Sequence, residues 1–559
     1  MHRELWAAVE LIPQLEESII AGNSSATTTV RELKAHTEKA RGDASTPLWT
    51  FAALLPWIGP NFQAVTDVAV SADEVAQLGA DPLVSTLQSL DWRSFVPDQD
   101  GVDLEPLQKA SPALQAAAHA VSSSSERLNS IETSPLLPQV AEPLVEARNR
   151  LGKLSENLEA ATSAASIMPA MLAADSPRSY LLIVQNNAEP RASGGIPGAL
   201  ATLRVDKGRL TLGTQSSASA LGTVTPAVQV DPAQQEIYSR RLGKFMQDVN
   251  LTPDFPTAAG TASAMWERHT GQKTDGVISI DPIALSYLLE ATGSVNVATP
   301  DNSRLPSELT SNNVVETLLS RVYTEIPDPD AQDAYFAAVA KQIFDALGQG
   351  HSDPNHLVEA ITRGANEGRV LVWSPASREQ SVIERHRLSG AISGSSVHPS
   401  QFGVYFNDGT GAKMDFYVQR TVQLVKECPQ DGYDQTVVRV TSTNTAPADA
   451  ATSLPPYVTG NGNYGVPPGV VQTNVVAYGP AQAHVETAKL DGQKTEFAPY
   501  FHGNRPVGVL AIRLAPGESK TVEFTFGKIV QHTEPNVVVT PTVQDVKDVT
   551  LPTETTPCG

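Results

Sequence analysis

SYLLIVQNNAEPRASGGIPGALATLRVDKGRLTLG, residues 179–213, is the stretch whose reading decides the fold. It opens on a dense apolar run, Tyr180–Val184, which reads as a buried strand. The polar, glycine-rich segment Gln185–Gly198 follows, read as a loop. A second apolar run, Ala199–Val205, leads into the turn signal Asp206-Lys207-Gly208, and Arg209–Leu212 reads as the return strand of a hairpin. Asn186, Asn187, Glu189, Arg191, Gly194 and Gly195 are thus gathered between two core strands, where function concentrates. The same residues also fit a tight structural connection, with Asn and Gly chosen for backbone geometry.

The surrounding alternation is of one kind up to about residue 395. Pro232–Asn250 and Pro256–Thr270 read as helices, the second stopped by Gly271. DGVISIDPIALSYLLEATGSVNV, residues 275–297, is a clean unit. Gly276–Ile280 is a strand, Asp281 an N-cap, Pro282 the first helical residue, Gly293 the stop, and Ser294–Val297 another strand. Helices at Asn313–Glu325, Asp330–Leu347 and Pro354–Ala365, a strand at Arg369–Trp373 and a helix from Ser374 complete a central α/β domain, 171–395, with a mixed sheet.

Residues 1–170 read as a helical bundle or stalk. Leu144, Leu151 and Leu158 recur every seven residues beside the companion row Leu154, Ala161 and Met168. The run Ser122–Ser125 marks a weak point in another predicted helix, Pro106–Ile131. Residues 396–559 change to short strands separated by Pro and Gly, the pattern of a β-sandwich. There FGVYFNDGTGAKMDFYV reads as a strand, a turn at Asn407-Asp408-Gly409, and a long alternating strand carrying Met414, Phe416 and Val418 on one side. The fold class is therefore multidomain α+β.

The net charge is −21, from 40 basic and 61 acidic residues, which argues against nucleic acid as a partner. Cys428 and Cys558 are the two cysteines, at the ends of the last domain, and are expected to pair in an exported protein. No metal or cofactor motif stands out, so no cofactor is expected. The first twenty residues lack the apolar core of a signal peptide, and Trp49–Gly59 is too short to span a bilayer.

Four stretches carry a resemblance: YLLIVQNNAEPRASGGIPG, LTPDFPTAAGTASAMWERHTG, DGVISIDPIALSYLLEATG and FGVYFNDGTGAKMDFYV. They resemble the domain of unknown function 4012 family of actinobacterial cell-surface proteins, and LLPWIGPNF with its helices resembles that family's N-terminal half. The resemblance implies an extracytoplasmic location at the cell surface, with anchoring to the cytoplasmic membrane by an N-terminal helix missing from this chain. The central order of elements is also similar to LytR-CpsA-Psr proteins, which transfer lipid-pyrophosphate-linked glycopolymers. In that comparison Asn187 and Arg191 fall where those proteins have an Asp and an Arg. Leu212–Ser217, LGTQSS, falls on a Ser-Pro-Arg-Asp run whose arginine and aspartate are absent here.

The candidate ligand-binding residues are therefore Asn186, Asn187, Glu189, Arg191, Gly194, Gly195 and Asp254, with no catalytic residue assigned. Arg191 beside Gly194-Gly195 suits a phosphate or carboxylate, and equally a salt bridge to Glu189. Asn186 and Asn187 orient a ligand or satisfy their own turn. Asp254 is a rim acid or an N-terminal turn residue of the next helix. The expected function is binding of a polyprenyl-phosphate or glycan-phosphate ligand of the cell wall, or a surface-scaffold role, without efficient turnover. The alternative is a glycopolymer transferase with altered chemistry.

Overall fold

In the computed structural model, which describes residues 2–20, 25–89, 104–301, 303–348 and 354–558, the chain divides into two units, Met1–Ser176 and Pro177–Gly559. The first unit is helical throughout: α1 His2–Ile20, α2 Ser25–Ala44, α3 Pro47–Ala53, α4 Gly59–Glu74, α5 Asp81–Ser89, α6 Glu105–Asn129 and α7 Pro138–Met171. Small residues let its helices approach closely: Ala8, Ala26 and Ala76 sit in one core cluster with Leu15, Val30 and Leu33. Glu4 fixes the start of α1 against the end of α2, accepting from His36 Nδ1 at 2.7 Å and Lys39 Nζ at 2.9 Å. Of the seven-residue rows in α7, Leu144 and Leu158 are buried while Met168 is exposed, so the seam ends before the row does. The serine run does not break α6. Ser124 is buried, and its hydroxyl donates to Ser71 O on α4.

The second unit holds three sheets and a short two-stranded ribbon. The first sheet joins β1 Arg178–Arg191, β2 Gly194–Asp206, β3 Arg209–Ser217, β4 Gly276–Ile280 and β7 Val370–Trp373 in the order β3-β2-β1-β4-β7. It is mixed: β1 and β4 are parallel and every other pair is antiparallel. The ribbon is β5 Val295–Asn296 with β6 Glu308–Leu309. The segment read as a loop differs here. Both strands continue through it, with register shifts at Val184/Gln185 and Asn186/Pro190, until only Ala192-Ser193 separates them. Bulges re-aim side chains without ending a strand. The expected helix 232–250 also differs. Helix α8 stops at Tyr238, because Ser239 takes φ +76°, and two short 3₁₀ turns follow. Helices α9 Phe255–Thr270 and α10 Pro282–Thr292 match the expected caps, with Gly271 left-handed and Asp281 Oδ1 accepting from Ala284 N at 2.8 Å.

The chain then builds β8 Gln401–Asp408, β9 Val418–Gln430, β10 Tyr433–Asn444, β11 Val471–Tyr478, β12 His484–Leu490, β13 Gln493–Thr495, β14 Ala498–His502, β15 Arg505–Leu514, β16 Ser519–Ile529, β17 Asn536–Val539 and β18 Glu554–Thr555. They form two sheets, β13-β12-β16-β10-β9-β18 and β14-β15-β11-β8-β17. One core serves both, with Phe402, Val404 and Phe406 of β8 meeting Val438, Val440, Phe524 and Phe526 from the other sheet. The long strand expected from Lys413 onward is instead a 3₁₀ turn, Met414–Tyr417, followed by β9. Cys428 and Cys558 form a disulfide, which fits folding in an oxidising compartment. No helix among the described residues is long and apolar enough to cross a membrane.

The tip of the β1–β2 hairpin is packed against the outer face of the β8-containing sheet. Ala192 N donates to Asn407 Oδ1 at 2.9 Å, and Ala192 O accepts from Thr540 Oγ1 at 2.8 Å. Tyr238 and Tyr478 join their hydroxyls at 2.7 Å nearby.

Candidate functional site

Because the hairpin tip reaches that sheet, the polar residues of β1 are carried into contact with residues more than two hundred positions away. A cavity of about 790 Å³ opens beside them. Its walls come from the hairpin, from residues 236–251, from the end of β8 and from the 456–464 segment. A run of alternating charges crosses the floor. Glu189 accepts from Arg191 Nη2 at 3.0 Å and from Lys413 Nζ at 2.7 Å. Arg191 Nη2 also lies 3.5 Å from Asp248, which accepts from Arg241 Nε at 2.7 Å. Burial pushes the Glu189 carboxyl up, but Lys413 and Arg191 outweigh it and hold the pKa below its ordinary value. Burial likewise works against the Lys413 charge, and Glu189 more than offsets it. Asp408, on the cavity wall, has no such cation in contact. Burial first, and the Glu189 carboxylate second, push its pKa up to about 7.

A second cavity of about 210 Å³ lies on the other side of Glu189, Ile196, Gln247, Lys413 and Tyr457, which line both. Its lining is mainly apolar, including Leu285, Leu318, Phe336, Val339 and Ala340. Tyr323 stacks on Tyr457 at 5.5 Å between ring centres, and its hydroxyl accepts from Asn186 Nδ2. Burial pushes the Tyr323 pKa up to about 12, so it stays a neutral phenol.

The residues expected from the sequence divide between these places. Glu189 and Arg191 line the large cavity, and Asn186 lines the small one. The Arg191 guanidinium is taken up by Glu189, Asp248 and Pro190 O, so it braces the wall. Asn187 is fully buried and donates to Asp281 Oδ2 at 3.1 Å and Pro541 O at 3.0 Å. Gly195 N donates to Gln185 Oε1 at 2.9 Å, and Gly194, at φ +140°, sits so close to that amide that a Cβ would fall 1.8 Å from Oε1. These glycines admit the Gln185 side chain within the fold. Asp254 precedes α9 and accepts from Thr257 Oγ1 at 2.6 Å, with no bond to a helix N–H. Asp248, Asp408, Lys413 and Tyr457 were not singled out from the sequence. The polar glycine-rich run NDGTGAK, residues 407–413, is the signal that marked two of them.

Residues 175–323 match the family described as Protein of unknown function (DUF4012). No curated protein sequence matches the chain significantly. Among solved structures, protein gbs0355 from Streptococcus agalactiae is similar over 40% of this chain and 76% of its own, with 10% identity and a TM-score of 0.27. The transcriptional regulator yvhJ from Bacillus subtilis is similar over 40% of this chain and 79% of its own, with 12% identity and a TM-score of 0.18. Likeness this low carries no argument about fold or activity.

Proposed function

We propose that the chain is an extracytoplasmic cell-envelope protein that binds a glycan-phosphate or polyprenyl-phosphate ligand, holding it and not converting it efficiently. The observation that carries the reading is the shared wall of the two cavities. Polar space of about 790 Å³, a buried ammonium at Lys413, and apolar space of about 210 Å³ follow one another in that order. A glycan, a phosphate and an apolar chain follow in the same order along a lipid-linked saccharide. Tyr457 and Tyr464 offer ring faces to the large cavity, and Asn407, Asn463 and Asn474 offer amides. Among the described residues Lys413 Nζ has one hydrogen-bond partner, Glu189, and so retains donors for a phosphate oxygen. Arg191 then acts through Glu189, keeping that carboxylate ionised beside Lys413.

The fold is read in the same terms. The parallel β1–β4 pair with antiparallel neighbours supports a LytR-CpsA-Psr-like α/β domain over residues 171–395. The core common to two facing sheets supports a β-sandwich over 396–559. Anchoring through a helix N-terminal to this chain belongs to the same proposal. A transferase reading draws on Asp408, whose pKa of about 7 suits proton transfer at the cavity wall.

Calorimetric titration with a short polyprenyl phosphate tests the binding reading. A hydrogen bond to a charged group contributes about 1.5–3 kcal/mol, so Lys413→Met should weaken binding roughly tenfold to hundredfold. Equal affinity in the wild type and Lys413→Met would remove the ammonium from the site. Efficient transfer by wild type that is lost in Asp408→Asn would replace the binding reading with the transferase.

A further inference from the structure

The helical unit carries an apolar tip unlike any other part of its surface. Helix α3 buries none of its residues, and the turn after it exposes four large side chains. Leu48 is 85% exposed, Phe51 65%, Leu54 79% and Trp57 91%, with Leu55 and Ile58 also exposed beside them. Residues 44–66 contain no charged side chain. The tip is held firmly. Trp49 packs edge-on against Phe62 at 4.6 Å and donates Nε1 to Thr66 Oγ1 at 2.9 Å. Leu5 of α1 packs with Trp49 against Ala40, Ala44 and Ala69, which places the first turn of α1 at the same end of the bundle. Exposed Trp6 is next to Leu5 in α1, and exposed Leu137 is tied to the start of α4 by its N–H, which donates to Asn61 Oδ1 at 2.8 Å.

The backbone of the tip is also sealed. Leu54 N, Leu55 N, Ile58 N and Gly59 N all donate to carbonyls within residues 51–56. Pro47, Pro56 and Pro60 carry no N–H at all. Apolar side chains over a hydrogen-bonded backbone are what hydrocarbon requires of a surface that enters it. A protein partner would be met by hydrogen bonds and charges around an apolar centre, and this convex tip offers no charge. Tryptophan at the outermost position is the residue that settles at the boundary between headgroups and acyl chains.

The geometry points to a membrane-docking tip: the segment Leu48–Ile58 enters the interfacial layer of a lipid bilayer, with Trp57 deepest. The seven residues of α3 cannot span a bilayer, so the tip lies in the interface. The attraction is apolar and does not call for anionic lipid.

Flotation of the full chain with phosphatidylcholine vesicles, at low salt and at 1 M salt, tests this. Wild type should float equally in both. Leu54→Ser/Trp57→Ser should lose about tenfold or more in partitioning, as expected for withdrawing two large apolar side chains. Val358→Ser, which removes an exposed apolar side chain of the second unit, should leave partitioning unchanged. Both substituted tip positions face outward, and an unchanged melting temperature confirms that the variant is folded. Three results would overturn the proposal: wild type that does not float, a double variant that floats like wild type, or a wild-type dimer in sedimentation velocity that the double variant abolishes. The last would make the tip a self-association surface.

Discussion

Arg369→Met should be among the most damaging single changes in the second unit. The Arg369 side chain is 0% exposed and sits at the end of the β1-containing sheet. Its Nη1 donates to Asp281 Oδ2 at 2.8 Å and to Thr542 O at 3.0 Å, and its Nη2 to Gln544 O at 2.9 Å. Asp281 also caps α10 and receives Asn187, so one guanidinium ties helix, sheet and C-terminal segment together. Methionine keeps most of the volume and removes every donor. Leaving the buried Asp281 charge without its cation costs about 3–5 kcal/mol, and two buried carbonyls lose a donor at about 1–3 kcal/mol each. These losses overlap, and about 4 kcal/mol is the expected net, a large part of a stability of about 5–15 kcal/mol. Urea unfolding followed by near-ultraviolet circular dichroism measures it. Adding Asp281→Asn removes the stranded charge, so the double variant should lose less than the sum of the two singles. A loss below about 1 kcal/mol for Arg369→Met, or strict additivity in the double variant, would refute the uncompensated-charge argument.

Asp408 titrates at about 7 in the fold against an ordinary 3.8, so the native state holds a proton that the unfolded chain releases. Its contribution is complete below pH 4 and is lost as pH rises through 7. Asp408→Asn should therefore melt like wild type at pH 4 and above it at pH 8, and the same difference at both pH values would count against the assignment. Gly195→Ala would place a Cβ 2.2 Å from Asn186 C and 2.3 Å from its O, whereas at Gly198 the nearest atom is 3.6 Å away. Gly195→Ala should cost about 2 kcal/mol or more and weaken ligand binding, with Gly198→Ala close to neutral. Equal melting temperatures for the two would sink that reading. The Cys428–Cys558 bond closes a sequence separation of 130 residues, and Cys558→Ser should lower stability by about 4–5 kcal/mol in the chain-entropy model. An unchanged denaturation midpoint with and without reductant would contradict it.

Local chemistry made much of this fold legible. Tyr180–Val184 is too apolar to be anything but core, Asp281-Pro282 starts a helix by its own hydrogen bond and fixed φ, and Gly271 stops one. The segment Gln185–Gly198 misled because its polarity was read as solvent exposure. Its partners are Asn407, Lys413 and Pro541, which reach it only once the chain has folded back over two hundred residues. Pro232–Asn250 has helical composition throughout, but Ser239 breaks the helix at a positive φ that no local pattern announced. Arg191 was legible as a buried-site arginine, and one of its two readings, the salt bridge to Glu189, is present. Asp248, which shares that guanidinium, comes from a separate turn. Lys413 lay in a run that read as a hairpin turn, since nothing local distinguishes a lysine facing solvent from one facing a distant carboxylate.

The central claim is that the two cavities act as one site across the Glu189–Lys413 wall. Titrate the full chain with a short polyprenyl-phosphate-linked saccharide, and separately with the saccharide phosphate and the polyprenyl phosphate. Joining two ligands that bind adjoining spaces turns the second contact into an intramolecular one. The linked molecule should therefore bind at least about tenfold tighter than either half, and Lys413→Met should weaken all three. A half that binds as tightly as the whole, or a linked molecule that does not bind, would contradict the account.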